Sequence, residues 1–459
     1  MTFGIFPVFL FIFQFACYLV GVFVVRKSHQ SNNNAITYFL SGHSLGKWSF
    51  MFTLLATQIG GGLLIGSAEQ AYYSGWIVVF FPLGAALGLA ILAFGLGQKF
   101  ARFNVITVGA LLKEAYRSPL LQKMGGSLST CSLFFLLIAQ MITSMKLLNN
   151  FGLHNIGWFI AFWLMIIFYA TRGGFKSVVA TDIVQSIFFS LGLFFSFFVL
   201  FFSKDISFSQ VFSSCSKSSL SFGDMISWFV LPLFFVLVEQ DLIQRFFAVS
   251  SRKIIFSSTL LASGISLCVT LIPVIFGLVA AHRGIQPVED SSILLTFIHE
   301  FFPKSIAALL GCAILAAVVS SADSFINSLA ANVIGDLFNE DSLIVQSNNF
   351  YELVSFLIGI IAMIVSLFFS NIFNLLMRGY AITVVCLACP VIMAVIKKGP
   401  HNKESAFCSV FFGIIGFILF NFIPISIPSE FLGIIFSILG FFMGEIISKK
   451  RLLVNLVTK

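Results

Sequence analysis

Two adjacent serines that follow an alanine at helical spacing form the first group of residues able to do chemistry. Ala317, Ser320 and Ser321 stand at positions i, i+3 and i+4 of an apolar stretch, so they share one helix face. A serine in such a helix usually bonds a carbonyl one turn earlier, which is the purely structural interpretation. A small hard cation prefers oxygen ligands and is able to take that carbonyl and both hydroxyls instead. Three oxygens from one helix are too few for an ion.

A run of three glycines, Gly60–Gly62, interrupts another apolar stretch at residues 46–72. Each glycine costs a helix about 1 kcal/mol relative to alanine, so the run favours local unwinding. Unwound backbone exposes carbonyls, which a membrane protein tolerates only where they line a cavity or hold an ion. Two such carbonyls would complete a five-oxygen cage with the serine helix. The alternative is a small-residue face that lets neighbouring helices approach closely.

Two carboxylates, Asp182 and Asp323, fall inside apolar stretches. Placing an aspartate at the centre of a membrane helix costs about 2.5–3.5 kcal/mol, so such residues are functional candidates by default. Asp182 lies only a short distance into its stretch, and an interfacial, structural aspartate is the alternative. Glu239 and Asp241 are given less weight because they fall near the end of a stretch.

The chain that carries these residues has the composition of a polytopic membrane protein. Of its 459 residues, 59% are hydrophobic, 10% are charged and 60 are phenylalanine, and the mean hydropathy is +1.03. A soluble protein is about 25% charged, so soluble enzymes and secreted scaffolds are excluded. No basic residue precedes the first apolar run, which predicts a retained span rather than a signal peptide.

A membrane-spanning helix needs about 20 apolar residues to cross a bilayer. Thirteen such runs are found, at about 3–25, 46–72, 76–98, 124–148, 155–171, 177–203, 224–245, 255–281, 305–336, 350–370, 372–396, 405–423 and 430–448.

The basic residues predict the orientation of these thirteen spans. Positive charge accumulates in cytoplasmic loops of membrane proteins. With the N-terminus outside, twenty of the 26 Lys and Arg residues fall in inner loops and five in outer loops. The sequence therefore predicts an outside N-terminus and a cytoplasmic C-terminus. This placement explains the net charge of +8 better than nucleic-acid binding does.

The positions of the residues relative to the thirteen spans argue against an enzyme that breaks covalent bonds. All six histidines fall in loops or at span ends, so no buried histidine is available as a general base. No glycine-rich phosphate-binding loop follows a strand pattern. Transport by this chain must therefore use an ion gradient or be passive.

The chain resembles the sodium/solute symporter family, which includes sodium-coupled proline, pantothenate, sialic acid and sugar transporters. Four segments carry the resemblance in order over most of the chain. They are Ala56–Gly62, Gly173–Gly174 with Thr181–Gln185, Gln240–Arg245, and Ala313–Ser324. The resemblance implies an all-α fold of about 13 transmembrane helices with discontinuous helices in a five-plus-five inverted repeat. A leading helix at 3–25 would precede repeats at 46–203 and 224–396, and 405–448 would hold peripheral helices.

The resemblance also implies site residues, matched by motif position. The sodium ligands would be the carbonyls of Ala56, Ile59 and Ala317 and the hydroxyls of Ser320 and Ser321. These are the residues from which spacing and unwound backbone assemble the cage.

Some members of the family hold a second sodium ion near positions that match Asp182, Ser320, Asp323 and Ser324. Asp323 stands where at least one such member has serine, so the chain departs from the pattern there. These residues are candidates for a second sodium site or for the sodium route.

The identity of the solute does not carry over from the resemblance. Leu63 replaces a glutamine of the sugar transporters. Phe235 stands where those members place an inner aromatic gate, although lipid-facing filler is the alternative in a chain so rich in phenylalanine. Thr57 and Gln58, beside the glycine run, complete the candidate solute-binding residues.

The sequence therefore predicts a sodium-coupled symporter of a small organic solute that works by alternating access. A proton-coupled or uncoupled carrier is the main alternative, and a membrane sensor is a weaker one. The expected partners are sodium, the solute and the lipid bilayer, with no nucleic acid and no obligate protein partner. The expected location is the plasma membrane, or the inner membrane of a bacterium.

Overall fold

The structure, a computed structural model, is built from helices alone in the residues that it describes, as the sequence predicts. These residues are 5–28, 35–43, 45–203, 211, 222–287, 291–338, 347–369, 372–397, 401–423 and 428–457. Residues 3, 4 and 370 of the predicted spans, and most of the connection at 203–223, lie outside these ranges.

Eighteen α-helices are numbered here along the described residues. The first nine are α1 (Ile5–Ser28), α2 (Ala35–Leu40), α3 (Lys47–Gln58), α4 (Gly61–Ser74), α5 (Phe80–Ile91), α6 (Gly97–Phe100), α7 (Val108–Tyr116), α8 (Pro119–Asn150) and α9 (Ile156–Phe201). The others are α10 (Phe222–Val238), α11 (Gln240–Phe247), α12 (Arg252–Arg283), α13 (Ile293–Phe301), α14 (Lys304–Asn332), α15 (Asn348–Ser366), α16 (Ile372–Ile396), α17 (Lys403–Phe422) and α18 (Ser429–Val457). Short 3₁₀ or π segments continue several of them.

Two continuous helical stretches are each divided between two crossings. The stretch Gly61–Phe100 has 40 residues and Ile156–Phe201 has 46, about 60 and 69 Å at 1.5 Å per residue, against a hydrocarbon core of about 30 Å. Gly75 (φ 72°, ψ −150°) and Gly174 (φ 55°, ψ −159°) are the non-helical points at which they turn. A side chain at Gly174 would stand 2.7 Å from the Tyr38 carbonyl oxygen, so glycine is needed there for space as well.

The number of crossings agrees with the thirteen apolar runs. In the described part of the chain, nine helices are long and apolar enough to cross a membrane, and a bent pair raises the number to ten. The 24-residue α1 adds one more, and dividing the two long stretches adds two. The prediction missed the short helices α2, α7 and α13, which lie between the crossings.

Helix α14 is the centre of the bundle, and α17 lies at its edge. In the crossing that contains α14, 83% of the most apolar window is buried, against 33% for α17. Large apolar side chains such as Phe94, Phe198 and Phe422 stand on the outside. An exterior of this kind is suited to lipid rather than water.

Two helices that cross the bundle are broken near their middle. The first break separates α3 from α4 at Ile59 and Gly60, as the glycine run predicts. The second separates α10 from α11 at Glu239, where the chain bends by 40°. No pattern in the sequence predicts this second break. The two broken helices begin the two predicted repeats, at 46 and 224.

Candidate functional site

The break between α3 and α4 turns a backbone carbonyl away from its own helix. Ile59 (φ −102°, ψ 89°) and Gly60 (φ −99°, ψ 165°) leave the helical region, so the regular pattern of bonds stops there. The carbonyl oxygen of Ala56 instead faces α14, where it accepts hydrogen bonds from serine hydroxyls. Ala56 and Ile59 are both fully buried.

The two serines of α14 meet this carbonyl. The hydroxyls of Ser320 and Ser321 each lie 3.2 Å from the Ala56 carbonyl oxygen. The Ser320 hydroxyl also lies 3.0 Å from the Ala317 carbonyl oxygen, and its single hydrogen serves one carbonyl at a time. We call these four atoms the oxygen cluster: Ala56 O, Ala317 O, Ser320 Oγ and Ser321 Oγ.

The oxygen cluster has the chemistry that a small hard cation requires. All four atoms are neutral oxygens from two helices, and hard cations take such ligands. The two bonds to Ala56 are the ones that an ion would replace. Ile59, which would supply the fifth oxygen, lies in the adjacent break. The structure thus brings four of the five predicted ligands into direct contact.

The two interpretations of the glycine run, local unwinding and close helix packing, apply to different glycines. Gly60 belongs to the break, and a Cβ there would stand 2.9 Å from both Ser321 Oγ and Gln140 Nε2. Gly61 begins α4, and its Cβ would stand 2.1 Å from the side chain of Val318. The Gly61 amide donates to Gln140 Oε1 at 3.0 Å, which satisfies one free amide at the start of α4.

Asp182 is fully buried inside the protein and ion-paired. Its Oδ2 lies 3.3 Å from Arg245 Nη2 and accepts a 2.5 Å hydrogen bond from Thr53 Oγ1. Arg245 Nη2 also donates to Ser324 Oγ at 2.6 Å, and its Nε donates to Thr53 Oγ1 at 2.9 Å. The Arg245 guanidinium therefore lies between Asp182 and Ser324. We call these four side chains the Arg245 network.

Asp323 is separate from that network, although it is one residue from Ser324. Its Oδ2 accepts a 2.8 Å hydrogen bond from the Tyr169 hydroxyl, and its Oδ1 is buried without a hydrogen-bond partner. The residues matched to a second sodium site are thus divided among three environments, because Ser320 belongs to the oxygen cluster.

A small cavity of about 20 Å³ lies beside the oxygen cluster. This volume is enough for one ordered water and is smaller than the pockets that hold small molecules, about 300–1,000 Å³. The three candidate solute-binding residues, Thr57, Gln58 and Phe235, all lie on its wall, and so does Leu63. The full lining of this central cavity is Thr57, Gln58, Gly60, Leu63, Leu136, Gln140, Phe235, Glu239, Ser321, Phe325, Leu376 and Tyr380.

Sequence reasoning missed three polar residues of this cavity: Gln140, Glu239 and Tyr380. Glu239 carried a usable signal, because a charged residue next to Gln240 and Asp241 is unusual within an apolar run. The break at Glu239 carried none, since neither glycine nor proline adjoins it in Val238–Glu239–Gln240. Gln140 and Tyr380 lie far along the chain from the motifs they meet.

Comparisons with known proteins identify the family of this chain. The model of the sodium:solute symporter family matches residues 38–413. A high-affinity choline transporter of Drosophila melanogaster is 24% identical over 402 residues, which are 79% of this chain and 62% of that protein. The sodium/sialic acid symporter NanT of Aliivibrio fischeri is 22% identical over 360 residues, 72% of this chain and 70% of that protein.

A solved structure shows the same fold. It is the substrate-bound, outward-open state of a Na⁺-coupled sialic acid symporter, with a TM-score of 0.81 and 19% sequence identity. The match covers 96% of this chain and 97% of that one. The predicted fold class, an all-helical membrane protein with inverted repeats, is confirmed.

Proposed function

The chain belongs to the sodium:solute symporter family, and on this basis we propose that its sodium ion binds in the oxygen cluster. As a member of that family it is a sodium-coupled symporter that works by alternating access, and not an enzyme. The proposed ligands are the carbonyls of Ala56, Ala317 and Ile59 and the hydroxyls of Ser320 and Ser321. The observation that carries the proposal is that both hydroxyls converge on the Ala56 carbonyl from another helix.

Sodium would act by linkage between two parts of the bundle. An ion in the cluster joins the broken end of α3 to the central α14, so it favours the conformation in which these helices are in contact. One charge that moves through 100 mV releases about 2.3 kcal/mol. A tenfold sodium gradient adds about 1.4 kcal/mol. Together they sustain accumulation of a neutral solute of about 500-fold per ion.

The solute would bind in the central cavity, in contact with the ion site. Ser321 lies both in the oxygen cluster and on the cavity wall. This shared residue gives sodium and solute a direct route of coupling. Thr57, Gln58 and Phe235 are the proposed contacts on the side of the two broken helices. The cavity is small in this conformation, so the solute would bind in a conformation whose walls are further apart.

Asp182, Asp323 and Ser324 are proposed to act on the sodium route. Asp182 and Asp323 are both fully enclosed, and each has one carboxylate oxygen without a hydrogen-bond partner. A second sodium ion between Asp182 and Ser324 would have to compete with the Arg245 guanidinium, which already contacts both. We therefore propose that these residues line the route of sodium and do not hold a second ion.

The finer architecture and location are part of the same proposal. The repeats would be 46–203 and 224–396, because each begins with a broken helix. The N-terminus would lie outside and the C-terminus in the cytoplasm, because that arrangement leaves most basic residues inside. The membrane would be the plasma membrane, or the inner membrane of a bacterium.

Uptake into proteoliposomes tests the proposal. Vesicles that contain the full chain receive an inward sodium jump with a panel of amino acids, vitamins, sugars and quaternary amines. We expect accumulation that depends on sodium and rises with an inside-negative potential. Accumulation driven equally well by a proton jump without sodium would contradict sodium binding at the oxygen cluster.

A further inference from the structure

A buried glutamate occupies the break between α10 and α11. Glu239 (φ −65°, ψ 132°) joins the two helices, is 6% exposed and lies on the wall of the central cavity. Leu63 of the other broken helix and Ser321 of α14 line the same cavity, so a solute bound there would be within reach of Glu239.

Among the described residues, no basic side chain forms a direct ion pair with Glu239. The ion pairs found there are Arg245–Asp182 and Lys397–Glu445. Arg245 is the buried base nearest in sequence, and its Nη1 donates to the backbone carbonyl of Asp241 at 2.6 Å. Its other nitrogens bond Thr53, Asp182 and Ser324, as described above. Arg245 therefore attracts Glu239 electrostatically but makes its direct contacts with other groups.

The central cavity has a negative formal charge. Glu239 is the single ionisable acid on its wall, and the twelve lining residues include no lysine, arginine or histidine. Asp241 is close enough to interact with Glu239. If these two carboxyl groups share one proton, the pair keeps one negative charge. Arg245 attracts both groups but already pairs with Asp182, so a further cation at the cavity wall would stabilise that charge.

Aromatic rings line the same cavity beside this carboxylate. Phe235 and Tyr380 stack with ring centroids 3.8 Å apart and an interplanar angle of 18°. Phe325 lies on the wall as well. The face of an aromatic ring attracts ammonium groups, which a combination of rings and one carboxylate recognises well.

From this arrangement we infer that the solute carries an ammonium group, protonated or quaternary, which binds Glu239 against the Phe235–Tyr380 rings. The inference rests on the proposed solute site in the central cavity and narrows its substrate class. An anionic solute would bring a second negative charge to a wall without a basic side chain. A neutral solute would add no positive charge beside Glu239.

Solid-supported membrane currents test this inference with the full chain in liposomes and sodium present. The probes are choline and its uncharged carbon isostere 3,3-dimethylbutan-1-ol, with lysine, glycine betaine, glucose and sialic acid. Ammonium compounds are expected to evoke or compete for the sodium-dependent current, with choline at least tenfold more potent than its isostere. A response confined to glucose or sialic acid, equal potency of the isostere, or no response to any ammonium compound overturns the inference.

Variants of Glu239 identify the group responsible. Glu239→Gln should raise the half-saturating concentration of the best ammonium probe at least tenfold, and Glu239→Asp should raise it less. The exposed Glu300→Gln is the matched control, with no effect expected. Equal affinity of Glu239→Gln and the parent protein would overturn the inference.

Binding of ²²Na⁺ without solute separates this inference from the proposed function. It should persist in Glu239→Gln, which also shows that the variant is folded. Lack of ²²Na⁺ binding by the parent chain would overturn the proposed sodium site. Normal ²²Na⁺ binding with a preference for neutral or anionic solutes would overturn the ammonium inference alone.

Discussion

The hydroxyl of Ser321 on α14 lies 3.2 Å from the carbonyl oxygen of Ala56 at the broken end of α3. These residues are 265 positions apart in the chain. The contact joins a helix end that has lost its regular bonding to the most enclosed helix of the bundle. It is the contact that sodium would replace.

Ser321→Ala is expected to raise the sodium concentration for half-maximal uptake tenfold or more. The variant removes one of five proposed oxygen ligands, and a hydrogen bond to a charged group contributes about 1.5–3 kcal/mol. Membrane abundance should stay near normal, because the change opens little space. The measurement is sodium-dependent uptake. Ser196→Ala is the control, since the buried Ser196 hydroxyl bonds only its own helix, at Leu193. Unchanged sodium dependence in Ser321→Ala would remove this residue from the site.

Asp182→Asn is expected to slow uptake. The amide keeps the size of the side chain but leaves Arg245 buried without its counter-charge, and removal of one partner from a buried pair costs about 3–5 kcal/mol. Uptake rate and charge-to-solute ratio should be measured together in voltage-clamped vesicles. A changed ratio would indicate a second sodium ion, and a slow rate per folded transporter with an unchanged ratio would indicate a route. Parental values of both would make Asp182 purely structural.

Gly61→Ala is expected to abolish or strongly reduce transport. The new methyl group would stand 2.1 Å from Val318 Cγ2 and 2.8 Å from Thr143 Cγ2, so α4 would be displaced from α14 and α8. Combining it with Val318→Ala should restore part of the activity, because that substitution removes the closest atom. The control is Gly264→Ala, whose methyl group would meet nothing within 4 Å. Uptake and thermal stability are the readouts, and full activity of Gly61→Ala would contradict close packing at this point.

Tyr169→Phe is expected to destabilise the protein by about 1–3 kcal/mol, the cost of leaving a buried polar group without its hydrogen bond. The lost hydroxyl is the donor to Asp323 Oδ2. Thermal unfolding in detergent measures the effect, with the exposed Tyr73→Phe as the comparison. If Asp323 also meets sodium on its route, added sodium should reduce the difference between variant and parent. Equal unfolding temperatures for Tyr169→Phe and the parent would show that this bond contributes little.

Local patterns in the sequence predict the fold and the contacts of the oxygen cluster, but they do not predict which distant residues pair. The span count follows from apolar length, and the oxygen cluster follows from helical spacing at Ser320 and from the glycines at residues 60–62. The partner of Asp182 is Arg245, 63 residues away on a different helix. No local pattern predicts that pairing, which makes Asp182 part of a buried ion pair.

The second helix break shows the same limit. Its backbone angles at Glu239 are set by packing of α10 and α11 rather than by a glycine or proline, so propensity gives no signal. The low weight given to Glu239 followed from placing it at the end of a span. Its location on a cavity wall is a three-dimensional property, which depends on Tyr380 and Gln140 from other helices.

The membership of Ser321 in both the oxygen cluster and the central cavity has a consequence for engineering and divergence of this protein. A substitution at Ser321 would alter the binding of the ion and of the solute together, so the two specificities cannot be changed separately at this residue. Leu63, Leu136, Phe325 and Leu376 line the cavity without contributing to the cluster. Reshaping these four apolar side chains would redirect the transporter to a solute of another shape while its driving ion stays the same.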